Sequence, residues 1–294
     1  MKCIFIYNPN SGKGKIKKKL SLIHKMLSKK YEYVEIYATK SGDDTIKIAH
    51  ESCKEFDAII FSGGDGTFND VLTGISSSEK RPIIGYIPSG TVNDIARNLN
   101  IPRNIKKALE IVLEQNYIYH DVGMINNNYF MYVSAIGTFT GVSYRTKQQL
   151  KKVLGKVAYA LDGIKDIINP KISKITIKTE NTIMETKYPL ILVLNSISVG
   201  GMRINKEGHL NDGKFDIIIV KNGISKGLFN IVKLFLFGVR KKSNAKHFTY
   251  LSSSEFEIIA DDECVWCIDG EAGPKGSVKI KNLHNHIKIF TRKK

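Results

Sequence analysis

The 294-residue chain is poor in cysteine and in tryptophan: four cysteines, Cys3, Cys53, Cys264 and Cys267, and one tryptophan. Cys264-Val-Trp-Cys267 has the spacing of a redox or zinc pair, but no second CxxC or HxxxH accompanies it, so buried thiols are the expected reading. That usage fits a reducing compartment. No apolar run reaches the roughly 18 residues needed to span a bilayer. Met1-Lys-Cys-Ile-Phe-Ile-Tyr-Asn-Pro reads as a first strand rather than a signal peptide, which makes the expected location cytoplasmic. Acidic residues are in deficit, 28 Asp and Glu against 45 Lys and Arg, for a net charge of +17. Attraction to a polyanion or anionic membrane competes here with a lysine-rich habit that only decorates solvated faces. An arginine-rich aromatic groove is missing, so specific nucleic-acid recognition is not expected. Internal repeats and low-complexity linkers are missing too.

What is present is a soluble globular composition, 42% hydrophobic and 25% charged, in a chain long enough for two domains. Up to about residue 120, apolar runs at 2–7, 33–38, 58–62 and 83–87 alternate with helical patterns at about 16–28, 43–53, 69–75 and 93–99. Such alternation predicts an α/β domain with a parallel sheet, its ligand at the carboxyl ends of the strands. Beyond Asp121 the pattern turns to period-2 runs at 129–135, 172–178, 191–194, 215–220, 255–259, 278–280 and 286–290, separated by turn signals, with helical inserts at about 147–168 and 224–239. The expected fold is an α/β domain over 1–122 followed by a mostly antiparallel β domain over 123–294, with room for the last residues to return to the first domain. A cleft between the domains is the expected substrate position.

Gly63-Gly64-Asp65-Gly66-Thr67 lies directly after the run Asp57-Ala-Ile-Ile-Phe-Ser62. A strand feeding a glycine turn that opens a helix presents free N–H groups and the positive end of the helix dipole, a site for phosphate. Asp65, read as buried, suggests that the anion arrives with a cation. The stretch is neither a Walker loop nor a dinucleotide fingerprint, since GxGxxG would need glycine at Asn69. The other strands end in similar chemistry: Asn8-Pro-Asn-Ser-Gly12, Thr39-Lys-Ser-Gly42 and Pro88-Ser-Gly-Thr-Val-Asn-Asp94. Each alone could be a cap or turn. Together they suit a polyphosphate, and Asp65 with Asp94 could hold Mg²⁺ beside it.

GGDGTFND at Gly63 to Asp70, PSGTVNDIAR at Pro88 to Arg97, NDGKFD at Asn211 to Asp216 and DGE at Asp269 to Glu271 form an ordered set. It resembles the diacylglycerol kinase catalytic-domain family, most closely its soluble bacterial lipid kinases, over nearly the whole chain. The resemblance implies ATP contacts at Asn8, Ser11, Gly12, Thr39, Gly63, Gly64, Asp65, Gly66, Thr67, Asn69, Asp70 and Thr91. It implies a structural Mg²⁺ held by the Asp212 carboxylate with the carbonyls of His209 and Lys214. It makes Glu271 the general base, with Asp65 and Asp94 in the network around the catalytic metal. A lipid alcohol is a poor nucleophile, so a base, in-line placement and metal neutralisation are what the reaction needs. Asp269 is the rival base, and Asn211-Asp-Gly213 alone would read as a hairpin turn. Asn205-Lys-Glu-Gly208 departs from the proline-containing segment of many relatives.

Leu228 to Val239 is strongly apolar and is followed by Arg240-Lys-Lys242. It reads equally as a segment that docks on an anionic interface through Phe235 and Phe237, or as a helix buried against the β domain. The leading expectation is therefore an ATP- and Mg²⁺-dependent kinase that phosphorylates diacylglycerol during transient contact with membranes. Its rivals are a kinase of a sphingoid or phosphatidylglycerol-type lipid, an NAD kinase-like enzyme, and a non-catalytic nucleotide-binding protein of the membrane surface. A homodimer is compatible with all of them.

Overall fold

The computed structural model describes residues 1–9, 14, 16–137, 173–180, 182–221, 224–240 and 246–293. The chain divides into two compact units, Met1–His120 with Asn285–Lys294, and Asp121–His284.

In the first unit, β1 (Lys2–Tyr7), α1 (Leu20–Leu27), β2 (Tyr33–Ala38), α2 (Gly42–Ser52), β3 (Ala58–Gly63), α3 (Asp65–Ser76), β4 (Ile83–Pro88), α4 (Asp94–Asn98) and α5 (Ile105–Leu113) follow one another. The strands form a parallel sheet in the order β2-β1-β3-β4. Its central strands are covered on both faces, which is why they read as continuous apolar runs rather than alternating ones: Ile4, Phe5, Ile6, Ile59, Ile60 and Phe61 are all fully buried. Helices α2 and α3 pack closely because residue 74 is glycine. A Cβ there would lie 2.4 Å from the Ile46 carbonyl oxygen. The Ser41 hydroxyl caps α2 by accepting from the Asp44 amide, and the Asn104 side chain caps α5 by accepting from the Lys107 amide.

The second unit takes over within β5 (Tyr117–Ile125), followed by β6 (Asn128–Phe130), β7 (Val133–Gly137), β8 (Ser173–Thr179), β9 (Ile183–Tyr188), β10 (Leu190–Leu194), β11 (Ser198–Val199) and β12 (Met202–Arg203). Then come β13 (Phe215–Val220), α6 (Ile224–Phe237), β14 (Phe248–Ser253), β15 (Glu255–Ile259), β16 (Val265–Ile268), β17 (Glu271–Lys275) and β18 (Val278–Phe290). One antiparallel sheet runs β14-β13-β10-β7-β16-β17. A second antiparallel run pairs the first half of β18 with β15, then β8 and β9. Alternating side chains from the two runs, among them Val193, Ile217 and Trp266 of one with Ile177, Ile258 and Ile280 of the other, make one core. Trp266 is fully buried and its indole N–H donates to the Gly276 carbonyl, so its polar atom is satisfied.

Several elements differ from the sequence reading. Helix α3 starts at Asp65 rather than near Asn69, because Asp, Gly and Thr are all tolerated in a first turn, where Asp also meets the positive end of the dipole. Helix α5 was not anticipated. The runs at 278–280 and 286–290 are one strand of 13 residues, whose last part pairs in parallel with β4 through Ile289 opposite Ile84. The insert expected at 147–168 lies outside the described residues.

Candidate active site

Two strand-to-helix turns sit side by side at the carboxyl ends of β3 and β4. The Gly63 carbonyl accepts from the amides of Ser89 and Gly90, at 2.8 and 3.2 Å, and from the Tyr86 hydroxyl at 3.3 Å. The Ser62 and Ser89 hydroxyls are joined at 3.1 Å. Contact between the turns rests on glycine on both sides: a Cβ on Gly90 would stand 2.5 Å from the Gly64 Cα and one on Gly64 would stand 3.3 Å from the Gly90 Cα, while within the first turn a Cβ on Gly63 would stand 2.3 Å from the Thr67 Cβ. A Cβ on Gly66 would meet nothing within 4 Å, so glycine there leaves open space over the first turn of α3. Exposed first-turn amides without overlying side chains are the local chemistry that receives a phosphate group.

Asn93 holds the second turn in shape. It adopts the left-handed conformation at φ 56°, its side-chain oxygen accepts from the Gly90 amide at 2.9 Å and from the Tyr86 hydroxyl at 3.2 Å, and its amide donates to the Gly90 carbonyl at 2.7 Å. Asn93 therefore cannot cap α4 itself. Asp65 does so from the neighbouring turn, accepting from the amides of Asp94 at 3.1 Å and Ile95 at 3.2 Å. Burial raises the Asp65 carboxyl above the usual carboxylate range, and these amides oppose the rise. Asp94 is buried and accepts from Arg97 Nη1 at 2.7 Å. Thus Asp65 and Asp94 are brought together, but each already has a protein partner. Asp65 is partly rather than fully buried.

The remaining nucleotide candidates of this unit are placed as follows. Buried Thr39 sits one residue past β2, its amide donating to the Tyr7 carbonyl, and Asn8 follows β1. Asp70 lies within 3.3 Å of where a Cβ on Gly42 would be, at the start of α2. The buried side-chain oxygen of Asn69 has no hydrogen-bond partner among the described residues. Thr91 is exposed, and its carbonyl accepts from Arg103 at 2.8 Å. Ser11 and Gly12 lie outside the described residues.

In the second unit the turn after β16 separates the two carboxylates of Asp269-Gly-Glu271. Asp269, at φ 48°, is buried, and its carboxylate accepts from the amides of Met131 (2.6 Å), Tyr132 (3.0 Å) and Val133 (3.0 Å). Three donors occupy it and tie the turn to the start of β7. Glu271 is exposed at the first position of β17.

Asn211-Asp-Gly213 is not a hairpin turn, because β13 pairs with β10 and β14 instead of the preceding segment. It is stapled by fully buried Asp121, whose carboxylate accepts from the Gly213 amide at 2.7 Å and meets His284 Nδ1 at 2.9 Å. Asp212 is exposed and one of its oxygens accepts from the Lys214 amide at 3.1 Å. Among the described residues no group of three or more His, Cys, Asp or Glu side chains could hold a metal; the family resemblance would put a cation on the Asp212 carboxylate with the carbonyls of His209 and Lys214. That all-oxygen set suits a hard cation. The unusual Asn205 is a buried anchor: its amide donates to Asp216 at 2.6 Å and its oxygen accepts from Tyr250 at 3.2 Å. Cys264 and Cys267 form no disulfide.

Asn93, Tyr86 and Asp121 escaped assignment from the sequence. An Asn before a short helix and the Asp of Asp121-Val-Gly123 are the only signals they leave.

These features define a GGDGT-type α/β domain joined to an antiparallel β sandwich. Residues 2–125 match the diacylglycerol kinase catalytic domain, and residues 135–291 match the YegS C-terminal NAD kinase beta sandwich-like domain. A diacylglycerol kinase of Staphylococcus saprophyticus is 34% identical over 97% of this chain and 94% of its own length, and one of Bacillus subtilis is 32% identical over 98% and 95%. The crystal structure of a diacylglycerol kinase from Bacillus anthracis str. Sterne superposes with a TM-score of 0.80 at 24% identity, covering 99% of this chain and 97% of that one, a likeness of fold alone. A second solved structure from the same strain reaches 0.86 at 27% identity over 99% and 95%. The chain belongs to the diacylglycerol kinase family and is an enzyme of the lipid kinase class.

Proposed function

We propose that this kinase phosphorylates diacylglycerol at an anionic membrane surface, moving the γ-phosphate of ATP to the free hydroxyl of the lipid with Mg²⁺ as the required cation. The observation that carries the reading is the joined pair of glycine turns, which offers amides and open space to a polyphosphate. In the reaction the lipid oxygen bonds to phosphorus, the bond from the γ-phosphorus to the bridging oxygen breaks, and ADP leaves. Glu271 takes the proton of the hydroxyl. The commitment of Asp269 to three amides supports that assignment, since Glu271 is then the carboxylate of the turn left for the task. Asn8, Ser11, Gly12, Thr39, Asn69, Asp70 and Thr91 complete the nucleotide contacts. Mg²⁺ supplies neutralisation of phosphate charge when bound. Asp65 and Asp94 would hold it beside the nucleotide, and Asp212 with the His209 and Lys214 carbonyls would hold a structural ion.

Transfer of labelled γ-phosphate from ATP to a panel of lipids in mixed micelles tests this. We expect labelled phosphatidic acid from the wild type and a loss of at least about 100-fold in Glu271→Gln with ATP binding retained. An undiminished rate in the variant would remove Glu271 as base, and label on a sphingoid or phosphatidylglycerol-type lipid would keep the reaction and change the acceptor. The match of residues 135–291 to an NAD kinase-like sandwich gives a second reading a specific footing. Label on NAD with none on any lipid would favour it.

A further inference from the structure

The end of α6 displays apolar side chains that the described residues leave uncovered. Ile231 and Leu234 are fully buried, whereas Leu236 and Phe237 are 70% and 63% exposed. Among the described residues this is the one place where two large exposed apolar side chains are adjacent in sequence, and Met202 on β12, an element packed against α6, is 39% exposed. The helix end is held in place. Gly238, at φ 63°, donates its amide to the Leu234 carbonyl at 2.8 Å, Val239 donates to Ile204 at 2.7 Å, and Lys206 donates to Val239 at 3.1 Å. A Cβ on Gly238 would lie 2.4 Å from the Arg203 carbonyl oxygen, so the helix end abuts the segment after β12. These two segments carry exposed Arg203, Lys206 and Arg240, with Glu207 the acidic exception, and no Asp or Glu occurs in the sequence between Ile224 and His247.

We infer that this helix end and β12 form the surface by which the protein docks on an anionic phospholipid bilayer, Leu236 and Phe237 entering the boundary of the acyl region while the basic side chains meet the headgroups. The area decides the occupant. Two protruding side chains fall well short of the roughly 800 Å² per partner that a stable protein interface buries, whereas an interfacial helix needs to sink its apolar face only about 5–10 Å and gains from each nearby Lys or Arg. The inference deepens the lipid-kinase reading and rests on it in one respect, that an enzyme of this class must meet its substrate in a bilayer.

The test is cosedimentation with vesicles of equal parts phosphatidylglycerol and phosphatidylcholine, comparing wild type with a Leu236→Glu, Phe237→Glu variant and a milder Leu236→Ser, Phe237→Ser variant. Circular dichroism and size-exclusion chromatography accompany each. We expect partitioning to weaken at least about tenfold in the Glu variant and less in the Ser variant, with unchanged spectra and elution and an unchanged rate on short-chain diacylglycerol dispersed below its micelle concentration. Equal vesicle binding by all three proteins, or none by the wild type, overturns the docking surface. So does a shift from dimer to monomer in the variants, which would make a second copy the occupant. Failure to phosphorylate any diacylglycerol, with sedimentation as expected, would overturn the proposed substrate and leave the docking surface standing.

Discussion

Asp269 and Glu271 differ by one methylene and stand two positions apart, and hydrogen bonding separates what they can do. Three amides converge on Asp269, so its charge is spent on positioning the turn that carries Glu271. Asp269→Asn would replace one acceptor oxygen with a donor facing an N–H group. We expect a loss of about 2–4 kcal/mol in denaturant unfolding, because buried donors are left without an acceptor. If the turn also positions the base, kcat falls while ATP affinity is unchanged, a split that simple destabilisation would not give. His286 offers a second residue-scale test. Burial, aided by Arg81, pushes its imidazole down from the ordinary 6.5 to about 4. The folded protein thus holds it neutral where the unfolded chain takes up a proton. Its contribution to stability is complete above the unfolded value and is lost as pH falls from about 6.5 to about 4, by at most roughly 3 kcal/mol. Melting temperatures across that window should fall less steeply in His286→Gln than in wild type, and parallel curves would refute the assignment.

At the scale of elements, what was legible tracks how strongly each local pattern depends on its surroundings. The parallel strands were legible because burial on both faces leaves uninterrupted apolar runs, as in Ala58-Ile-Ile-Phe. The polar ends of β3 and β4 were legible as turns, but the contacts joining them were not, since nothing local reveals that Gly90 meets Gly64 or that Asp65 caps a helix 29 positions away. Helix α5 is capped by Asn104 and buries Ala108, Leu109, Ile111 and Val112, but its nine residues carry no acidic first turn or basic last turn, so its ends were weakly marked in the sequence. On α6, Ile231 and Leu234 are buried while Leu236 and Phe237 are open, and Phe235, which the sequence pattern offered as a docking residue, is only partly exposed. The two glycine turns yield a paired prediction. Gly90→Ala forces its Cβ to within 2.5 Å of Gly64 and 2.8 Å of Asn93 Oδ1, so stability should drop by about 1–3 kcal/mol and nucleotide affinity with it. Gly66→Ala meets nothing and removes a flexible residue from a helix, so its stability should hold or rise by up to about 1 kcal/mol. Calorimetric ATP titration should nevertheless show weaker binding by Gly66→Ala if a phosphate lies over that turn, and unchanged affinity would move the nucleotide elsewhere.

For the whole molecule, the division into an α/β portion and an antiparallel β portion could be read from the change in periodicity, whereas the meaning of the +17 charge could not. A uniform excess of lysine raises attraction to any anionic surface, but a local cluster beside exposed apolar side chains sets where and in what orientation contact occurs. The two can be separated at constant net charge. Arg203→Glu with Arg240→Glu alters the docking surface, while Lys25→Glu with Lys29→Glu, both exposed at or just past α1, lowers the total charge equally. Long-range attraction is screened over about 10 Å at 0.1 M salt, so near physiological ionic strength the total charge should matter little and contact residues most. We therefore expect the first pair to lose vesicle binding about 30-fold at that salt, at about 1 kcal/mol for each of the two residues removed from the headgroup region, and the second to stay close to wild type. Equal losses from both pairs would show that the lysine excess acts only as a diffuse field, and that the contact surface lies elsewhere.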